Sequence, residues 1–182
     1  FNFGAEDVKP YNTESELYKK YTAERNTHVI FTPEIKKLTD SLIAGETNPY
    51  LKARKIFDYI TKTYPWASAR EYATLENIPS YVLKNNHGDC GQVGLTFITM
   101  ARYAGIPAKW QSGWMLHPGE INLHDWAEAY FEGIGWVPVD VSFGRVPNEM
   151  DNVAHFYLGG IDAYRYYVNE DYSGNFFPAK TH

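Results

Sequence analysis

The chain has one cysteine in 182 residues, Cys90, so no intrachain disulfide is available to hold it together. A chain of this length buries roughly 70% of its unfolded surface and does not need one. It lacks an apolar run near the ~18 residues that a membrane-crossing helix requires. It lacks a basic excess too: 17 Lys and Arg against 22 Asp and Glu give a net charge of −5. Its paired bases, Lys19-Lys20 and Lys36-Lys37, stand apart. Nucleic acid, anionic membrane surfaces and membrane insertion are therefore set aside as partners. No internal repeat or low-complexity tract occurs. There is no phosphate-binding glycine loop, no serine-hydrolase elbow and no paired-histidine zinc helix, which sets aside nucleotide hydrolases, kinases and those hydrolase types. The chain opens at Phe1 without a basic-then-apolar leader, which leaves a removed signal peptide open, and it ends at Pro178 to His182 without an evident terminal element, as a fragment of a longer chain would.

What is present is an ordinary globular composition, 44% hydrophobic and 21% charged, with aromatic residues in excess at 16%. Residues 1–49 read as a helical arm, with a helix expected around Glu14 to Glu24 and another from Thr32-Pro33 to the stop at Gly45. Residues 50–182 read as the domain proper, the whole forming one compact unit. Asn48-Pro49 starts a helix whose face is Ala53, Ile56, Phe57 and Ile60, and a short helix is expected around Ser80 to Lys84. Asp89 caps a central helix with Val93, Phe97, Ala101 and Ala104 on its buried face, closed by Gly105-Ile106-Pro107. The period then changes to two, and Ala108 to Met115, His124 to Phe131 and Trp136 to Val141 read as strands. Helices followed by an antiparallel sheet make an α+β layout. Trp110, Trp114, Trp126 and Trp136 are expected in the core around the sheet, with room for one or two of them to wall the cleft instead.

Cys90 sits at the start of the central helix, where unpaired N–H groups and the helix dipole favour a thiolate. A helix terminus supplies about 0.3–1 kcal/mol, up to ~2 in a good geometry, so a cation must supply the rest. A histidine ion-paired with the thiolate also protonates a leaving group. Of the six histidines, His28, His87, His117, His124, His155 and His182, His124 is the best placed, opening a strand that holds its side chain rigidly. Asp140 on the returning strand is the carboxylate that would fix its tautomer. This demands a particular hairpin. His124 and Asp140 share a face only if the paired positions have equal parity, for example Phe131 opposite Gly135 across a three-residue loop, with Gly133 and Gly135 free to take positive φ. The bland alternatives are a buried inert thiol, a satisfied core histidine and a turn aspartate. Asp125, Glu128 and His117 could suggest a metal, but the faces alternate unfavourably for the three or four converging ligands that zinc needs, and neither metal nor cofactor is expected.

Four stretches in this order resemble the transglutaminase-like superfamily of papain-fold cysteine enzymes, in a bacterial-type member. They are Gly88-Asp89-Cys90-Gly91, Arg102 through Ala108, His124-Asp125-Trp126-Ala127-Glu128-Ala129-Tyr130, and Gly135-Trp136-Val137-Pro138-Val139-Asp140. The resemblance covers roughly Tyr50 to Gly144, with a weaker continuation from His155 to Asn169. It implies a nucleophile at the N-terminus of a central helix packed on an antiparallel sheet, with Cys90 as nucleophile, His124 as acid/base and Asp140 as orienting carboxylate. For the oxyanion the Cys90 backbone N–H is the first donor, and Trp66, Tyr64 and Asn85 are side-chain candidates. The activity expected is acyl transfer from an amide or peptide bond through a thioester, with hydrolysis favoured over cross-linking to an amine. The substrate is a peptide or protein, a cell-wall peptide included, and export is the expected destination. A non-catalytic glycan- or protein-binding module on the same fold is the alternative of another class.

Overall fold

A computed structural model describes residues 3–68 and 70–174, so His182 and the stretch from Pro178 lie outside the described residues. Three helices come first: α1 (Glu16–Thr22), α2 (Pro33–Ile43) and α3 (Pro49–Thr63). Each starts on a side-chain cap. Thr32 accepts the Ile35 N–H for α2, and Asn48 accepts those of Tyr50 and Leu51 for α3, with proline at the first helical position in both. A short 3₁₀ turn (Tyr72–Thr74) and α4 (Ile78–Asn85) follow. The latter is longer than the Ser80 to Lys84 expected, because the Asn77 side chain caps it at Ser80 N–H. Next come α5 (Cys90–Tyr103), β1 (Ala108–His117), β2 (Glu120–Phe131), β3 (Gly135–Val139), α6 (Asp151–Ala154) and β4 (Arg165–Asn169). Among the described residues no helix is long and apolar enough to cross a membrane.

The four strands form one antiparallel sheet in the order β3-β2-β1-β4, and α5 lies on it. Helices α2, α3 and α4 cover the other side of α5. The central helix is thus buried all round, from Gly91 to Arg102, rather than along the single face its periodicity predicts. Its threonines fit this setting, since Thr96 and Thr99 hydroxyls donate back to Gln92 and Leu95 carbonyls at 2.9 and 2.8 Å.

The structure corrects three expectations. Residues 1–49, read as a helical arm of one compact unit, are less peripheral than an arm: Val29 and Ile35 are fully buried in the main core, and the Tyr11 hydroxyl donates to the Tyr130 carbonyl at 2.7 Å. Helix α2 covers α5, so a boundary after residue 49 cuts through a shared core. The β1–β2 hairpin turns at Pro118-Gly119, where Gly119 takes φ +83°, so β2 starts at Glu120 and His124 lies inside the strand rather than opening it. Among the described residues, α5 does not extend over the Trp114 end of β1. Trp114 is accordingly 42% exposed, whereas Trp110 and Trp126 are buried and Trp136 is half-buried against Tyr21 and Tyr130.

Because Ile35 is completely enclosed, Ile35→Ala is expected to cost about 2–5 kcal/mol of stability. Urea unfolding followed by circular dichroism measures this; a loss below ~0.5 kcal/mol, typical of a surface change, would restore the arm.

Candidate active site

Asp89 closes a capping box at the head of α5. Its carboxylate accepts the Gln92 N–H at 2.9 Å and the Gln92 side chain accepts the Asp89 N–H at 3.3 Å. The Cys90 and Gly91 N–H groups are left out of the box. The Tyr72 hydroxyl donates to Asp89 at 2.6 Å, and burial followed by this carboxylate pushes the phenol's pKa up. Gly91 has to be glycine for a packing reason: a Cβ there would collide with the Tyr72 hydroxyl, the Asp125 carboxylate and Trp110. Its bareness lets β2 approach the helix start.

The Cys90 thiol donates to Asp125 Oδ2 at 3.7 Å, and this is its side-chain hydrogen bond among the described residues. Burial pushes the thiol up to about 12, and the charge of Asp125 adds to the shift. The backbone N–H groups of Asp125 and Gly91, which face the sulfur, pull the other way. The dipole is in place, but desolvation and a neighbouring carboxylate outweigh it. Asp125 is displaced as well, raised to about 6 by burial, with His124 holding it down and Asp89 and Asp140 pushing it further up.

His124 and Asp140 meet as the hairpin argument requires. Phe131 pairs with Gly135 across Glu132-Gly133-Ile134, and Gly133 and Gly135 take φ of +89° and +105°. Ala127 pairs with Val139, which brings Asp140 level with Trp126 and diagonal to His124. His124 Nε2 is 2.7 Å from Asp140 Oδ2, and Nδ1 is left free of that carboxylate. The imidazole sits edge-on to Phe143 at 5.2 Å and stacks on Trp126 at 6.1 Å. Asp140 has no exposure and also accepts the Ser142 and Phe143 N–H groups and the Arg165 guanidinium, at 3.1, 3.1 and 2.9 Å. Arg165 in turn holds Asp162. Burial works to raise the Asp162 carboxyl, but its bonds to Arg165 and His117 keep it down at about 2.

Cys90 and His124 line one cavity of about 620 Å³, together with Trp66, Leu123 and Phe143. Among the described residues there is no hydrogen bond between the thiol and the imidazole. Of the side-chain oxyanion candidates, only Trp66 reaches this cavity, 67% exposed on its rim. Tyr64 is buried behind α3 with its hydroxyl on Tyr59, and the Asn85 amide is spent on the Tyr81 carbonyl at 2.8 Å. Asn85 is carried away because Asn86 turns the chain through the left-handed region before it reaches Gly88. His117 pairs with Asp162 and Glu128 with Lys109, so neither joins His124. Sequence reasoning missed Tyr72, Phe143 and Arg165, and weighed Asp125 only as a metal ligand rather than as a neighbour of the thiol. Strand alternation did hold a signal for Asp125, since a neighbour of His124 on β2 must face the helix when His124 does not.

The carboxylate beside the sulfur yields a prediction. Asp125→Asn removes a negative charge and leaves the two N–H donors, so the thiol's titration moves down from about 12. Iodoacetamide labelling at pH 8, read as a single mass shift, is then expected to speed up several-fold; an unchanged rate–pH profile would show that Asp125 does not restrain the thiol.

The pattern of the transglutaminase-like superfamily matches residues 36–141. An uncharacterized protein of Haemophilus influenzae is 29% identical over 160 residues, 71% of this chain and 40% of that protein. Among solved structures, a Cytophaga hutchinsonii protein with a provisional cysteine-protease assignment superposes with a TM-score of 0.59 at 19% identity, covering 75% of this chain and 45% of the other. The periplasmic domain of TgpA from Pseudomonas aeruginosa superposes with a TM-score of 0.56 at 19% identity, covering 70% of this chain and 47% of the other. The chain thus spans less than half the length of each of these proteins. The likeness of the two structures is one of fold, an α+β core with a helix on an antiparallel sheet. With more than half of its length matched by the family pattern, the chain belongs to the transglutaminase-like superfamily.

Proposed function

We propose that the protein is a cysteine-dependent acyl-transfer enzyme acting on amide or peptide bonds, with hydrolysis as its outcome. The observation that carries this reading is that Cys90, at a capped helix start, and His124, held at 2.7 Å by a fully buried Asp140, open onto one cavity. In the proposed cycle the Cys90 proton passes to His124 as substrate displaces water from the cavity. The sulfur attacks the carbonyl carbon, and the N–H of Cys90, free of the capping box, donates to the oxygen that gains charge. Trp66 is the side-chain candidate for a second donor. The carbon–nitrogen bond breaks as His124 returns its proton to the amine, leaving a thioester. Water, deprotonated by His124, then releases the acid and restores the thiol. Asp140 keeps the ring oriented and stabilises its cationic form.

An amine in place of that water would give cross-linking with the same residues. A non-catalytic binding module has an observation in its favour too, the Asp125 carboxylate 3.7 Å from the half-buried thiol, which with burial pushes its pKa up. The proposed substrate is a peptide or protein, cell-wall peptides included, met outside the cytoplasm; similarity to the fold of a periplasmic domain supports that placement.

The test is a peptide library containing cell-wall stem peptides, incubated with and without a primary amine and read by mass spectrometry. Hydrolysis predicts new carboxyl termini or deamidated side chains, and cross-linking predicts amine adducts. Both are expected to fall at least ~100-fold in Cys90→Ala and in His124→Ala, the scale of a lost nucleophile or acid/base. Peptides retained unchanged by the wild-type protein, with a thiol that iodoacetamide reaches only on unfolding, would instead establish a binding module.

A further inference from the structure

Strand β2 is only half covered. Strand β3 pairs with Ala127 to Phe131, while residues 120–126 pair with β1 and have no strand on their other side among the described residues. Which backbone groups face that open edge follows from alternation along an antiparallel strand. The Tyr130 N–H donates to Pro107 on the β1 side, and the Phe131 carbonyl accepts on the β3 side. Even-numbered residues therefore face β1, and odd-numbered residues face out. One further contact agrees. The Leu123 N–H, which a neighbouring strand would take, is held by the side-chain oxygen of Asn122 at 2.9 Å.

The cavity of Cys90 follows this edge. Its lining takes Leu123 from one face of β2 and Glu120, Asn122 and His124 from the other, which a cavity on a single face of the strand would not do. Trp66 and Cys90 line the same cavity. Ile121 and Leu123 are 71% and 65% exposed beside it. An open edge flanked by apolar side chains is a pairing template that proteins ordinarily block. Here it runs straight to the sulfur. The charged side chains lining the cavity, Asp89 and Glu120, are acidic, and Asp125 lies at its Cys90 end.

We propose that the substrate polypeptide is captured as an added β-strand on the open edge of β2, hydrogen-bonding to the backbone of Ile121 and Leu123, with the adjoining scissile carbonyl delivered to Cys90. The inference rests on Cys90 being the nucleophile. At 3.3–3.4 Å per residue, Leu123 is about 7 Å along the edge from Asp125. The substrate residue paired with Leu123 is therefore two positions from the one at the sulfur. Recognition through backbone groups selects an extended segment rather than a particular side chain. The acidic lining favours neutral or basic residues and rejects acidic ones. The Asn122 side chain marks the place of the incoming carbonyl and gives way to it.

Alkylation of the wild-type protein tests this without a substitution that could unfold it. The probes are chloroacetyl-trialanine amide, whose chain follows the electrophile, acetyl-trialanine chloromethyl ketone, whose chain precedes it, the fully N-methylated form of each, and iodoacetamide. In every case the Cys90 sulfur bonds to the probe's methylene carbon, chloride or iodide departs, and the thiol proton goes to solvent. At least one peptidyl probe is expected to label Cys90 about tenfold or more faster than its N-methylated form, which cannot donate to the edge. A triglutamate version of that probe is expected to be slower than the trialanine one. Equal rates for both N-methylated pairs, with iodoacetamide still labelling the folded protein, would overturn the edge proposal and leave the nucleophile standing. Failure of all the probes before unfolding would overturn the cysteine-enzyme reading itself.

Discussion

The carboxylate of Asp140 has no exposure to solvent, and donors from three segments of the chain converge on it: the His124 imidazole from β2, the Arg165 guanidinium from β4, and the Ser142 and Phe143 N–H groups of the loop that follows β3. A buried charge without such partners would cost several kcal/mol. Satisfying this one fixes the register of the β2–β3 hairpin, the path of the chain after Val139 and the position of β4 on the far edge of the sheet. The Asp140 N–H extends the same link to Tyr157, donating to its carbonyl at 2.8 Å. Orientation of His124 is therefore a property of the whole sheet and its flanking loops. The ring is gripped from one side by a carboxylate and from the others by Phe143 and Trp126.

The other half of the site is under opposite stress. At the start of α5, free N–H groups and the helix dipole favour an anion, while Asp89 and Asp125 already bring negative charge and burial disfavours more. Burial and the Asp125 carboxylate together push the thiol's pKa up against that dipole. In the cycle proposed for Cys90, an occupant of the cavity would change that balance, by drawing the Asp125 carboxylate away or by giving the thiol proton a route to His124. The substrate strand proposed for the open edge of β2 would be such an occupant, since pairing along that edge would end beside the sulfur.

Much was legible in local sequence. Thr32-Pro33, Asn48-Pro49 and Asp89 mark helix starts because a cap acts over three or four residues. The shared face of His124 and Asp140 followed from parity and from two glycines able to take positive φ, both properties of a single hairpin. Cys90, His124 and Asp140 were named from these signals and from resemblance, and the fold brings the first two to one cavity and the last two into contact.

The remainder depends on contacts that no local rule reaches. Arg165 and Asp140 are 25 residues apart, and Cys90 and Asp125 are 35 apart. The weak 165–169 strand is stabilised by pairing with β1 rather than by its own pattern. Ile35 looks like one face of a peripheral helix until α2 is seen to cover α5, and Trp114 looks like core until the sheet is seen to outrun that helix. By itself the sequence determined the helix starts, the hairpin parity and the chemical identity of the site residues, because periodicity, caps and turns act between near neighbours. Only the tertiary structure decided that a carboxylate restrains the thiol, that an arginine anchors Asp140 and that half of β2 stays open, because burial and charge are set by what the chain brings back from far away.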